Sequence, residues 1–246
     1  MEAARKRADS MLYKIADLIV EVPDSGGMAH RCREYLTSQN NSADIIIRAD
    51  RYNPQKYPTF NENDVAYMES GNQFSYALLN FNGFYLHSSA VEFEGGAYLF
   101  SGPCGMGKST HTRLWQQSFG DAAQVFNDDK PALRCVDGVW YAYGTPWCGK
   151  DGINQNKRVR LAGICFLRRG EKNDIHRLDA LRASTSIMSQ TLYRFRDEQK
   201  LDLVLSHISD LVSKIPVFEF YNLPLPESAE LSCRTMQAAA REAGIL

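Results

Sequence analysis

The sequence predicts an α/β domain in which a strand runs directly into a glycine-rich loop and the loop opens a helix. Three observations predict it. Short runs rich in β-branched and aromatic residues recur along the chain, longer runs carry apolar residues at helical spacing, and Gly102-Pro103-Cys104-Gly105-Met106-Gly107-Lys108-Ser109 sits at a junction between the two kinds. With 246 residues, 44% of them hydrophobic and 23% charged, the chain is long enough for a sizeable core and lies in the ordinary globular range. A single domain is expected over 1–246, with 1–82 as lead-in strands and helix and 83–246 as the core that carries the chemistry.

The elements follow in order. Met1 to Ser10 is polar and charged and is assigned no role, while Leu12 to Val22 and Asp44 to Arg48 read as strands. Asp64 to Phe81 reads as a helix through Val65, Met68, Phe74, Ala77, Leu78 and Phe81, with Gly83 as its stop. Phe84 to Phe93 and Ala97 to Ser101 read as strands joined by Glu94-Gly95-Gly96, and the second leads into the loop. Lys108 to Phe119 is a helix ended by Gly120, and Ala122 to Asn127 is a buried strand closing on Asp128-Asp129. Asp137-Gly138 is a hairpin turn between Ala132–Cys135 and Val139–Tyr143, and Leu161 to Leu167 is another strand. Helices follow near Leu181 to Phe195 and Gln199 to Lys214, then a strand Val217 to Tyr221 and a helix Ser228 to Glu242. Gly144 to Asn156 has no periodicity and is too long for a plain turn, which marks it as a candidate functional loop.

Composition excludes several classes. Lys and Arg number 28 against 29 Asp and Glu, a net charge of -1, so there is no basic field to hold a nucleic-acid backbone. Tyr193-Arg194-Phe195-Arg196 alternates aromatic and basic residues, but without such a field it does not indicate base stacking. The six cysteines, Cys32, Cys104, Cys135, Cys148, Cys165 and Cys233, show no metal-ligand spacing and read as free thiols. No secretory leader or membrane-length apolar run is visible, so the expectation is a cytoplasmic protein without membrane or nucleic-acid partners.

The glycine loop carries the chemistry. It matches G-x-x-x-x-G-K-[ST], in which glycines let backbone N–H groups curl round phosphate oxygens. Gly102, Gly105 and Gly107 supply turn freedom, with Pro103, Cys104 and Met106 between them; Lys108 brings a cation to the terminal phosphates and Ser109, followed by Thr110, offers a hydroxyl to magnesium. ATP with Mg2+ is the implied cofactor. Asp128-Asp129 ends the next strand on the same sheet edge, where one carboxylate can hold the metal and the other can take a proton. His87, read alone, is a packed residue more often than a catalytic one. Lys150 and Asp151 in the long loop fit either a lid over phosphates or a packed connection. Arg158, Arg160, Arg168 and Arg169 form a local basic concentration that reads chiefly as strand-end charge.

Taken together, a His ahead of a hairpin, Ser101 to Thr110, and Asn127-Asp128-Asp129 resemble the catalytic domain of HPr kinase/phosphorylase, and the order is also similar to ATP-dependent phosphoenolpyruvate carboxykinase. Ile215-Pro216-Val217-Phe218-Glu219-Phe220, followed by Pro224 and Pro226, is similar to the closing segment of small HPr-kinase-like proteins. The resemblance implies a P-loop kinase core of that type, with a mixed β-sheet flanked by helices. It implies Asp129 as base toward a serine hydroxyl of a protein or peptide, His87 beside it as a catalytic residue, and Ser109 and Asp128 at the metal; Lys108 joins the catalytic set from the loop motif itself. It also implies a tendency to homo-oligomers. Where that family carries a glutamate in an arginine-glycine loop, Thr145-Pro146-Trp147-Cys148-Gly149-Lys150-Asp151-Gly152 contains none. A small-molecule acceptor, or nucleotide sensing without turnover, stays open beside the peptide acceptor.

Overall fold

The computed structural model describes residues 10–23, 26–38, 42–48, 53–191 and 197–246. The aromatic-basic stretch at 193–196, and almost all of the polar start, lie outside these residues. The expected strand Leu12–Val22 is in fact a hairpin of β1 (Ser10–Ile15) and β2 (Leu18–Pro23). Its turn residues, Ala16 and Asp17, have φ of 52° and 61°, the left-handed pair of a tight hairpin turn that ordinarily favours Asn-Gly. Distant partners hold this less favourable pair: Arg134 donates to the Ala16 carbonyl, and the Asp17 carboxylate accepts from Tyr143 and Arg158. The turn therefore has no local signature. After α1 (Gly26–Arg31), the short β3 (Ile45–Ile46) pairs parallel with β2 and completes a three-stranded sheet.

The helix α2 (Glu62–Leu78) begins at Asn61, whose side chain accepts from the Asp64 N–H while Asp64 returns the bond. It does not stop at Gly83. A 3-10 turn over Leu79–Phe81 ends on Asn82 at φ 55°, and Gly83 already belongs to β4 (Gly83–Tyr85), where a Cβ would lie 2.6 Å from the Leu133 carbonyl oxygen. The expected strand Phe84–Phe93 also divides, because the chain changes partners at Leu86-His87. β4 pairs with β8 (Ala132–Val136), whereas β5 (Ser88–Phe93) pairs with β6 (Gly96–Ser101) and β7 (Ala123–Asp129). His87 consequently sits in the break, not within a strand.

Among the described residues the main sheet has nine strands and is mixed. Strand β9 (Val139–Tyr143) joins β8 through the Asp137-Gly138 turn, and the long β10 (Arg158–Arg169) is its spine. β10 runs parallel to β6 on one edge, while its other edge is shared by β9 at the start and β12 (Val217–Asn222) at the end. β11 (Asp174–Arg177), absent from the sequence reading, pairs antiparallel with β12. All six residues of β6 are buried, so no alternation exists there and length alone marks it as a strand. Helices α3 (Lys108–Phe119) and α6 (Pro226–Glu242) pack on each other and on the strands around the loop. α4 (Ala180–Gln190) pairs with α5 (Glu198–Lys214), which touches β4. A second core cluster, including Tyr13, Val20, Tyr35, Phe74, Tyr85 and Trp147, joins the lead-in segment to the main sheet.

Candidate functional site

Register brings the candidate residues together. Ser88, the first residue of β5, pairs with Ser101 at the end of β6 and with Asp129 at the end of β7. The glycine loop and the acid pair thus leave the same sheet edge on either side of one strand, with His87 immediately before it. The Ser101 hydroxyl donates to the His87 carbonyl at 2.8 Å and anchors that turn.

The loop between β6 and α3 places Gly102 at φ 144° with a hypothetical Cβ only 3.2 Å from the Leu167 carbonyl oxygen, and Gly107 at φ 95° as the residue before the helix. Both need glycine. Lys108 is buried, and its Nζ donates to the carbonyls of Gly102 at 3.0 Å and Pro103 at 3.3 Å. Burial lowers its pKa from the ordinary lysine value, with opposing contributions from Cys104, Asp129 and Asp128. The first-turn N–H groups of α3 have no intrahelical acceptors and form an anion-accepting end.

Adjacent strand residues face opposite ways, and this separates the two acids. The Ser109 hydroxyl bonds the Asp128 carboxylate at 3.0 and 2.9 Å. Asp129, at φ 97°, instead meets His87 Nε2 at 3.3 Å and Lys130 Nζ at 3.1 Å. Burial pushes the Asp129 pKa up, but the His87 hydrogen bond and the Lys130 charge and hydrogen bond outweigh it, and the carboxyl ends below its usual range. His87 Nδ1 lies 3.3 Å from Gln190 Oε1, and its backbone N–H donates to the Gln190 carbonyl, so the end of α4 orients the ring. A hydroxyl and a carboxylate are hard oxygen donors that suit Mg2+, which takes one or two protein ligands and fills the rest with phosphate and water. Among the described residues no group of three or more His, Cys, Asp or Glu side chains could hold a metal.

The long loop 144–156 divides its labour. Trp147 is fully buried, stacks on Phe74 at 4.8 Å and donates to Ser70 Oγ at 3.0 Å, so this end is a packed connection. Gly149 then donates to the Asp128 carbonyl at 2.8 Å, which brings exposed Lys150 beside the acid pair, while Asp151 pairs with Arg113 of α3. Two cavities border the site. One, of about 460 Å3, lies by the glycine loop among Met106, His111, Leu114, Arg169 and Leu223. The other, of about 410 Å3, lies across Asp129 among Arg31, Tyr67, Lys130, Gly149 and Lys150.

Sequence reasoning missed Arg31, Tyr67, Lys130 and Gln190. Lys130 was legible as the residue after the acid pair, whereas Arg31 and Tyr67 belong to a segment read only as lead-in, with no local signal to distinguish them. The four arginines do not form one cluster. β10 separates Arg160 from Arg168 by about 26 Å at roughly 3.3 Å per residue; Arg158 covers Tyr141 at 3.7 Å, Arg168 pairs with Glu219 at 2.7 Å, and Arg169 alone of the four lines the loop-side cavity. All six cysteines are free, and among the described residues no helix is long and apolar enough to cross a membrane.

No protein-family model matches this chain, and no curated protein matches it. Among solved structures, the Hpr(Ser) kinase/phosphatase from Coxiella burnetii aligns with a TM-score of 0.38 and 13% identity, covering 64% of this chain and 93% of that one.

Proposed function

We propose that this protein is a magnesium-dependent ATP phosphotransferase acting on a hydroxyl. The observation that carries the reading is the division of the adjacent acids: Asp128 is bonded to Ser109 at the mouth of the glycine loop, and Asp129 is held ionised by His87 and Lys130. Lys108 and the N-terminal N–H groups of α3 bind the triphosphate, and the cavity by Met106 and Leu223 receives the nucleoside end. Ser109 and Asp128 would hold magnesium, which would supply charge neutralisation during transfer. Asp129 takes the proton of the acceptor hydroxyl as that oxygen bonds the terminal phosphorus. The bond from this phosphorus to the bridging oxygen breaks, and nucleoside diphosphate leaves. His87 and Lys130 act as positioning residues that keep the Asp129 carboxylate charged and aimed.

The test uses ATP labelled at the terminal phosphate, with magnesium, on the wild type and Lys108→Ala. The reading expects label to leave ATP in the wild type and transfer to fall at least a hundredfold in the variant. Turnover equal in both, or none on any hydroxyl acceptor, contradicts it.

A further inference from the structure

The cavity across Asp129 has a chemical character of its own. Its cations are Arg31, Lys130 and Lys150, and its acids are Asp64 and Asp129. Lys130 is already paired with Asp129 at 3.1 Å, and Asp64 serves the capping box of α2. Arg31 is different. Its guanidinium donates to the Cys148 carbonyl at 3.2 Å and the Cys148 sulfur at 3.0 Å, both neutral, and lies 4.8 Å from the Tyr67 ring centre. The Tyr67 hydroxyl donates to the same Cys148 carbonyl at 2.9 Å, and Lys130 lies 4.5 Å from the same ring. Among the described residues neither Arg31 nor Lys150 has a carboxylate partner. A half-buried guanidinium held in place by neutral groups and facing a cavity is a preformed anion site. The volume of about 410 Å3 falls within the range of small-molecule pockets, roughly 300–1,000 Å3.

Resting on the phosphotransferase reading, we infer that the acceptor is a small alcohol bearing a carboxylate or phosphate, its anion held by Arg31 and Lys150 and its hydroxyl at Asp129. A charged anchor beside Tyr67, in the same cavity as Asp129, converts binding energy into orientation of the hydroxyl. An internal serine of a peptide offers the Arg31 side no anion of its own. The lead-in segment, through Arg31 and Tyr67, then supplies acceptor specificity to a core that supplies nucleotide chemistry.

Calorimetric titration tests this with glycerate, serine and glycerol 3-phosphate against glycerol and serinamide, which lack the anion; the carboxylate and phosphate arms separate the two anions. At least one anion-bearing alcohol is expected to bind tenfold or more tightly than its counterpart without the anion. Arg31→Gln should weaken that binding at least tenfold, Arg31→Lys should recover part of it, and Lys150→Ala, on an exposed loop position, should weaken it about threefold. Overturning results are a panel that binds no better than glycerol and serinamide, anion binding unchanged in both Arg31→Gln and Lys150→Ala, or label passing from ATP to an end-blocked serine peptide in preference to every acid. Anion binding that depends on Arg31 with no transfer from ATP would sink the phosphotransferase reading and leave the anion pocket standing.

Discussion

Asp129 combines a left-handed backbone at φ 97° with two cationic or hydrogen-bonding partners, and the two facts have one cause. The turn out of β7 points its carboxylate away from the side Asp128 uses, toward His87 and Lys130. Non-glycine residues at such angles are strained and persist where surrounding contacts over-determine them. Because the folded pKa is below the ordinary carboxyl value, the ionised form contributes its full stabilisation above that value, and the contribution is lost as pH falls through the lower, folded pKa. Removing a partner raises that pKa, so His87→Ala should move the acid limb of the pH–rate profile to higher pH; an unmoved limb contradicts the pairing. His111 is also lowered, but there the fold favours the neutral form. Buried between Phe100 and Phe220 with Nε2 on Ser232 Oγ at 2.9 Å, it is pushed down to about 3 by burial alone. Protonation then favours the unfolded chain below its ordinary value near 6.5, so stability should fall by up to about 1.4 kcal/mol per pH unit from there toward pH 3. Urea unfolding at pH 7 and pH 5 checks this, and His111→Gln should flatten the difference.

At the scale of elements, the loop 144–156 shows how a packed end positions a reactive one. Trp147 is wedged against Gly71, where an added Cβ would lie 2.9 Å from its Cδ1, and from that anchor the chain reaches Gly149 and the Asp128 carbonyl. Trp147→Ala should therefore destabilise the fold by about 3–5 kcal/mol in urea unfolding. Gly71→Ala should cost about 1–3 kcal/mol by overpacking the same contact. The helix α3, the Asp137-Gly138 hairpin and the strands around the loop were legible because turn glycines and helical spacing mark them locally. The Ala16-Asp17 turn was not, because its φ angles are held by Arg134, Tyr143 and Arg158, more than a hundred residues away. The break at His87 was hidden for a related reason: Phe84 to Phe93 has no glycine or proline to interrupt a strand, and only the pairing partners divide it.

At the scale of the molecule, one sheet edge gathers residues from four parts of the chain: the lead-in helices, the turn before β5, the glycine loop, and the end of β7 with its neighbouring loop. The glycine-loop half of the candidate site, Lys108, Ser109 and Asp128, was legible because a contiguous motif and the next strand end carry it. The half around the Asp129 cavity was not, since Arg31 and Tyr67 reach Cys148 only through tertiary packing. In the proposed mechanism Asp129 acts on the acceptor and not on the nucleotide. The most direct measurement compares magnesium-ATP affinity and phosphoryl transfer in the wild type and Asp129→Asn, which keeps the size and left-handed tolerance of the side chain. Affinity is expected within about threefold of wild type and transfer reduced by roughly 10²–10⁴, the range of a general base. Transfer at the wild-type rate, or affinity and transfer falling together, would contradict it.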